Sequence, residues 1–292
     1  MISYVYPNTS EMNRDGRGGL RERFRLAREL SCQYVEMPAD FIKNKTEVTR
    51  TGLSLGSPLS DSAVSQLYEA GSSLSQELKY ILHTEPSLPR RDGYGLSNQA
   101  PIKWYDPDWT AALAEMVVSI GRQLGLPPAV IEIHPGDRRN SIDHVFRSAK
   151  VIMKSCEDAF SVRPLVMLEN RTGQFLSTGR ELAEFGRRVW EDNELISHLW
   201  IVLDMQQLFT VTRGRFLDEI KEIPREFIRG VHIHRKHQVP RESDEIPWAE
   251  VFSWISGIPG DILINPEVHH GTWAAETIEF CKSMMDRVRH KR

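Results

Sequence analysis

Thiol chemistry is nearly absent from this chain, which has three cysteines, Cys32, Cys156 and Cys281, in 292 residues. They are odd in number, far apart and set in helix-like or pre-strand contexts, which excludes a disulfide framework and a thiolate metal site and makes a reducing cytoplasm the expected compartment. Also missing is any apolar run near the roughly 18 residues that a membrane span requires, so no membrane contact is expected. The opening MISYVYPN is too short and uncharged to act as a signal peptide. No Pro/Ser/Gly-rich linker or low-complexity segment divides the chain, and one domain over residues 1–292 is expected. No glycine-rich phosphate loop follows the first predicted strand, which counts against a doubly wound dinucleotide-binding sheet. Nor is there an excess of either charge: 37 Lys and Arg against 40 Asp and Glu leave a net charge of −3. That argues against a surface generally coated for nucleic acid, although a sum does not say where the charges lie. No motif points to a protein partner.

What the chain does have is a series of short apolar runs that each end on a side chain able to bind a metal. LVMLENRTGQ ends its run on Glu169, YILHTEP on His83, AVIEIHPG on His134, WIVLDMQQ on Asp204, GVHIHRKH on His232 and DILINPEVHH on Glu267. Four apolar residues bounded by Pro164 and Gly173 suit a strand buried on both faces. The spacing is regular: 35 residues separate His134 from Glu169 and Glu169 from Asp204, then 28 lead to His232 and 35 to Glu267. A barrel of eight βα units in about 250 residues takes roughly 31 per unit. The expected fold is therefore an α/β protein, a single (β/α)8 TIM barrel.

The predicted strands are 2–6, 34–37, 80–83, 130–134, 165–169, 200–204, 230–234 and 262–265. The predicted helices are 19–30, one capped by Asp61 and running towards Leu78, 109–124, about 140–159, 178–190, about 215–222, one from Trp248, and 272–288. Residues 84–107 form the longest irregular stretch, and loops of that length in a compact domain usually serve function. In a barrel all βα loops gather at one face, so the six strand-end residues would share one cavity. Imidazole and carboxylate donors without thiolate suit Zn²⁺, Mn²⁺ or Fe²⁺. Any one of them alone is better read as a hydrogen-bonded interior group. Six together are not, because carboxylates buried side by side without a cation cost stability.

These segments resemble the xylose isomerase-like TIM barrels and, within them, the endonuclease IV or AP endonuclease 2 family. The likeness runs from LHTEPSL at His83 through IHPG, LENRTGQ, VLD and VHIH to Glu267, and IHPG and LENRTGQ are its most specific pieces. It implies a metal-ligand set of His83, His134, Glu169, Asp204, His232 and Glu267, with Glu169 bridging two ions. Where that family takes a third metal the chain departs: Gln207 stands three residues past Asp204, and Arg235-Lys236-His237 replaces an Asp-x-His. Arginine cannot bind a cation. His232 and His234 are two apart and would point to the same side of a strand, so either is a candidate ligand, with the resemblance favouring His232.

The expected function is a metal-dependent phosphodiesterase of the AP endonuclease type, acting on DNA or another phosphate ester with one or two ions, Zn²⁺ or Mn²⁺/Fe²⁺. Glu169 and Glu267 are its expected catalytic residues. Arg171, His234, Arg235, His237, Tyr94 and Trp104 are the expected substrate-binding residues, the aromatics by stacking on a base. The alternative is a sugar isomerase or epimerase with one metal, in which Glu169 and Glu267 shuttle a proton. A barrel that merely binds a metal without catalysis is a third reading.

Overall fold

The computed structural model describes residues 1–9, 19–38, 78–84, 88–89, 96–97, 102–268 and 270–290. The expected Asp61-capped helix, Tyr94 and His269 lie outside the described residues. Eight parallel strands close into a barrel in chain order: β1 (Ile2–Tyr6), β2 (Tyr34–Pro38), β3 (Lys79–His83), β4 (Val130–Ile133), β5 (Leu165–Glu169), β6 (Leu199–Asp204), β7 (Ile228–His232) and β8 (Ile262–Asn265). Closure is made by β1, which pairs with β2 at Val5 and Tyr34 and with β8 at Ile2 and Ile262. The described helices are α1 (Gly19–Glu29), α2 (Pro107–Leu124), α3 (Ile142–Phe160), α4 (Gly179–Trp190), α5 (Met205–Thr212), α6 (Phe216–Glu222), α7 (Trp248–Ile255) and α8 (Gly271–His290). The fold is a (β/α)8 barrel. No described helix is long and apolar enough to cross a membrane.

Helix starts follow local capping chemistry. Asp106 accepts from the Asp108 and Trp109 amides and Pro107 occupies the first turn, so α2 begins two residues before the apolar pattern does. Thr178 and Glu181 form a reciprocal capping box at α4. The expected helix near Arg215 is preceded by another, α5, which starts directly after β6 because the Asp204 carboxylate accepts from the Gln207 amide at 2.8 Å.

Strands such as β4 and β8 are buried on both faces throughout, which is why their runs read as continuous apolar segments. The outward residues Val35, Leu82, Ile131, Leu168, Leu203, Val231 and Ile264 pack into one large core with the helices. The inward residues Val5, Ile81, Val130, Met167, Val202 and Leu263 form a separate apolar layer inside the barrel. Gly230 completes that layer, since a Cβ there would stand 2.6 Å from Val202 Cγ2. This layer is the floor on which the site rests.

Candidate metal centre

Side chains on a strand repeat every two residues. Two positions beyond the apolar floor therefore lies a second inward layer, and in this chain it is almost wholly polar. Ile81 is followed by His83, Val130 by Glu132, Met167 by Glu169, Val202 by Asp204, Gly230 by His232 and Leu263 by Asn265, while Glu36 takes the β2 position. All seven are at most 5% exposed. His134 and Glu267, two residues further on, stand at the rim of the same cavity. The six expected ligands are thus brought together, and Glu36 and Glu132 join them. Neither was singled out as a ligand or support in the sequence, although the period of two was a signal for both, Glu132 lying two residues before His134.

The donors fall into two sets that share Glu169. His83, His134 and Glu169 place one donor atom each within 4.8 Å of one another, and so do Glu169, Asp204, His232 and Glu267. Glu169 faces them with different oxygens. Its Oε2 is 2.7 Å from His134 Nε2 and 3.6 Å from His83 Nε2, whereas Oε1 is 3.8 Å from His232 Nδ1. Glu267 Oε2 stands 3.4 Å from that same Nδ1.

Ring tautomers decide which histidines can ligate. The Glu36 carboxylate accepts from His83 Nδ1 at 2.6 Å, which leaves Nε2, turned towards His134 and Glu169, as the nitrogen able to ligate a cation once it gives up its proton. His234 is the opposite case. Its Nδ1 accepts from the His237 amide at 2.9 Å, and its Nε2 donates to Asp204 Oδ2 at 3.2 Å, so its lone pair is already engaged and its proton faces the carboxylates. His234, His237 and Glu267 also form a three-donor group by distance alone. The tautomer removes His234 from it, because a backbone N–H can only donate and a neutral imidazole has only one lone-pair nitrogen. The ladder ends at His232, so His234 sits beyond the strand, where the sequence had extended β7 to include it. His232 Nδ1 is the ring nitrogen turned to the cavity, with Glu132 Oε1 3.1 Å from Nε2 on the other side.

The two motifs of highest specificity are bonded to each other. Gln174 Oε1 accepts from the Gly136 amide at 2.6 Å, and the Phe175 amide donates to the Gly136 carbonyl. Gly136 has φ +80° and no room for a Cβ, which would fall 2.4 Å from Asn140 Nδ2. Asn170 clamps the Asp204 backbone, accepting from its amide at 2.8 Å and donating to its carbonyl at 3.1 Å. It is the supporting residue within LENRTGQ that the sequence alone did not single out.

The expected substrate-binding residues divide. Arg171 lies over the first set, its Nη1 3.3 Å from His134 Nε2. Arg235, expected to bind substrate, donates to Gln206 at 2.9 Å and to Glu245 at 3.1 Å. Trp104 is 3% exposed and donates its indole N–H to the His134 carbonyl at 2.8 Å. It supports the backbone of His134, and its burial leaves no open face for the expected stacking. His237 donates from Nδ1 to the Glu267 carbonyl at 3.2 Å. Gln207 is held by the Thr172 amide and takes no place in either donor set.

Electrostatics test the fit of a cation. Burial drives Glu169 well above the usual carboxylate range, and the Glu267, Glu132 and Asp204 charges push the same way against the opposing pull of His232. His134 is held well below the usual histidine range by burial, the Arg171 guanidinium and His83. His232 Nδ1, Glu132 Oε1 and Glu267 Oε2 are buried without an aligned hydrogen-bond partner. Buried polar atoms are normally satisfied. Orphaned donors converging with mutually repelling carboxylates are what a divalent cation would resolve, so the residues fit one at Glu169, Asp204, His232 and Glu267 and a second at His83, His134 and Glu169.

No family model and no curated protein matches the sequence. Solved structures match along its whole length. A D-tagatose 3-epimerase-like protein superposes with a TM-score of 0.62 at 17% identity, covering 99% of each chain. The AP endonuclease, family 2, of Brucella melitensis superposes at 0.60 and 13% identity, covering 97% of this chain and 98% of that one. Endonuclease IV of Thermus thermophilus gives 0.55 at 16% identity, covering 98% and 99%. The chain shares its barrel fold with these solved structures, which include both epimerases and endonucleases.

Proposed function

We propose that this chain is a phosphodiester hydrolase that works with a carboxylate-bridged pair of divalent cations. The observation that carries the reading is Glu169, whose two oxygens face two separate donor sets. In a single-metal enzyme the His83 and His134 set is surplus to the cation and would serve only to hold substrate oxygens. Bound there, such a pair supplies Lewis acidity to both the entering and leaving oxygens of an in-line displacement and makes water a nucleophile near neutral pH.

The chain's own residues do the rest. Glu267 is the most accessible of the six ligands, with 17% of its side chain exposed against 6% or less for the others. Its carboxylate is the group that takes the proton from an attacking water. His234 and His232 hold Glu267 ionised despite burial, pulling it well below the usual range. Arg171 holds a non-bridging phosphate oxygen beside His134, as a planar guanidinium suits that group. Asn170 and His234 fix Asp204 from its backbone and its carboxylate. Because Arg235 is tied elsewhere, Arg171 rather than Arg235 carries the salt dependence of binding.

The test is gel-resolved cleavage of a duplex carrying an abasic site, and hydrolysis of bis(p-nitrophenyl) phosphate, by Mn²⁺- or Zn²⁺-loaded protein, with Glu169→Gln as blank. Cleavage above the blank is expected, and Arg171→Ala should flatten the salt dependence of duplex binding by about one unit of slope. A second reading rests on a separate observation: Glu169, Asp204, His232 and Glu267 form a complete four-donor set without the other histidines. Salt-independent 3-epimerisation of a ketohexose, with no phosphodiester cleavage, would replace the first reading by that one.

A further inference from the structure

Strand β7 is followed at once by a turn of unusual construction. Arg235 and Gln238 exchange both backbone hydrogen bonds at 3.0 Å, closing a two-residue hairpin over Lys236 and His237. Both central residues have positive φ, 50° and 57°. A turn of this kind favours Asn-Gly, since left-handed backbone strains residues with a bulky Cβ substituent. Lys-His is a poor choice for it. The strain is held in place by contacts made outward from the turn: the Gln206 side-chain oxygen accepts from the Lys236 amide at 3.1 Å and from Arg235 at 2.9 Å.

The conformation delivers three contacts to the metal centre. The His237 amide occupies the lone pair of His234 Nδ1 at 2.9 Å. The His237 ring stacks on the His234 ring, with centroids 4.5 Å apart and planes 7° from parallel. The His237 Nδ1–H reaches the Glu267 carbonyl at 3.2 Å. His237 thus holds the His234 ring, which touches Asp204, and itself reaches the backbone of Glu267, so that one strained residue bears on two of the four donors in the second set. Strain retained where the surrounding structure over-determines it marks a functional constraint.

We propose that the Lys236–His237 turn is a strained clamp that fixes the proton of His234 on the side of Asp204 and holds Glu267 in place, so that a cation is directed to His232. His237 is a positioning residue in this scheme, acting through His234 and Glu267. The inference rests on the metal reading above.

Mn²⁺ affinity of the full-length protein, followed by the electron paramagnetic resonance of free Mn²⁺, tests it alongside the melting temperature of the chelated protein. The double variant Lys236→Gly/His237→Gly relaxes the backbone, so its melting temperature should equal or exceed that of the wild type. Its Mn²⁺ affinity should fall about ten- to a hundredfold, as expected when support for a ligand is lost. His237→Asn, which tolerates the left-handed backbone and keeps the fold, should lose affinity similarly. In nitrogen-15 spectra the wild-type His234 proton should sit on Nε2 and that of His237 on Nδ1. Wild-type affinity in both variants, a loss of affinity that simply follows a loss of stability, or the opposite tautomers would overturn the clamp. A wild-type chain that binds no Mn²⁺, Zn²⁺ or Co²⁺ would instead overturn the metal reading and the clamp with it.

Discussion

Glu169 is in conflict with its surroundings whenever no cation is bound, since it shares a buried layer with Glu132 and Asp204 and faces Glu267. Glu169→Gln should therefore abolish turnover yet raise the melting temperature of the chelated protein, because a neutral amide is spared the repulsion. Glu267→Gln should lower kcat by about a hundredfold or more, the usual worth of a positioned proton acceptor. His198→Gln is the control: His198 precedes β6, at the end of the barrel away from the site. Equal loss of turnover in His198→Gln would mean that the chemistry sits at the other end. Glu36 gives a pH prediction. Burial raises its pKa, but the hydrogen bond and charge of His83 outweigh that and hold it at about 2, below its usual 4.5. A depressed carboxylate contributes stability above its unfolded pKa and loses it as pH falls through the folded value. Chelated wild-type protein should thus lose on the order of a few kcal/mol between about pH 4.5 and 2 that Glu36→Gln does not lose. Parallel acid-unfolding curves for the two proteins would dismiss the Glu36–His83 pair as a stabilising contact.

At the scale of elements, the strands were legible because a strand buried on both faces leaves an uninterrupted apolar run, and Glu169, Asp204 and His232 mark where three of those runs stop. Their convergence was legible only through the βα period. Less legible was anything whose reason is a partner far away in sequence. Helix α5 was missed because Asp204 is both a cavity residue and the helix cap, and MQQ after it carries no other start signal. Arg235 and Trp104 were read as substrate groups because loops with arginine and tryptophan suit a phosphate or a base. Their hydrogen bonds to Gln206, Glu245 and the His134 carbonyl cannot be inferred from spacing. Gly230 carried a signal of another kind, a missing side chain where the floor of the barrel needs room. Gly230→Ala places a methyl group against Val202, and overpacking of this sort costs about 1–3 kcal/mol. Chemical denaturation should show that loss with an unchanged m-value. A neutral result would mean that the floor is loosely packed.

Taken whole, the barrel is an apolar floor carrying a ring of charge that repels itself. Loading it with Zn²⁺ or Mn²⁺ should stabilise the native state by about 2.7 kcal/mol at a hundredfold excess over Kd, a shift of several degrees in melting temperature that chelator reverses. Elemental analysis should find one or two equivalents of metal in protein purified without chelator. No metal and no thermal shift would remove the cation from the account. The placement of Trp104 gives the molecule an optical consequence as well. Its indole is buried, edge-on to Trp109 with ring centroids 5.0 Å apart, and hydrogen-bonded to the backbone of a residue in the first donor set. Of the seven tryptophans, this one is bonded to a ligand residue, so a quenching ion such as Co²⁺ seated at His83 and His134 should dim its emission. The barrel carries its own reporter of occupancy, readable without label or substrate and silenced by Trp104→Phe.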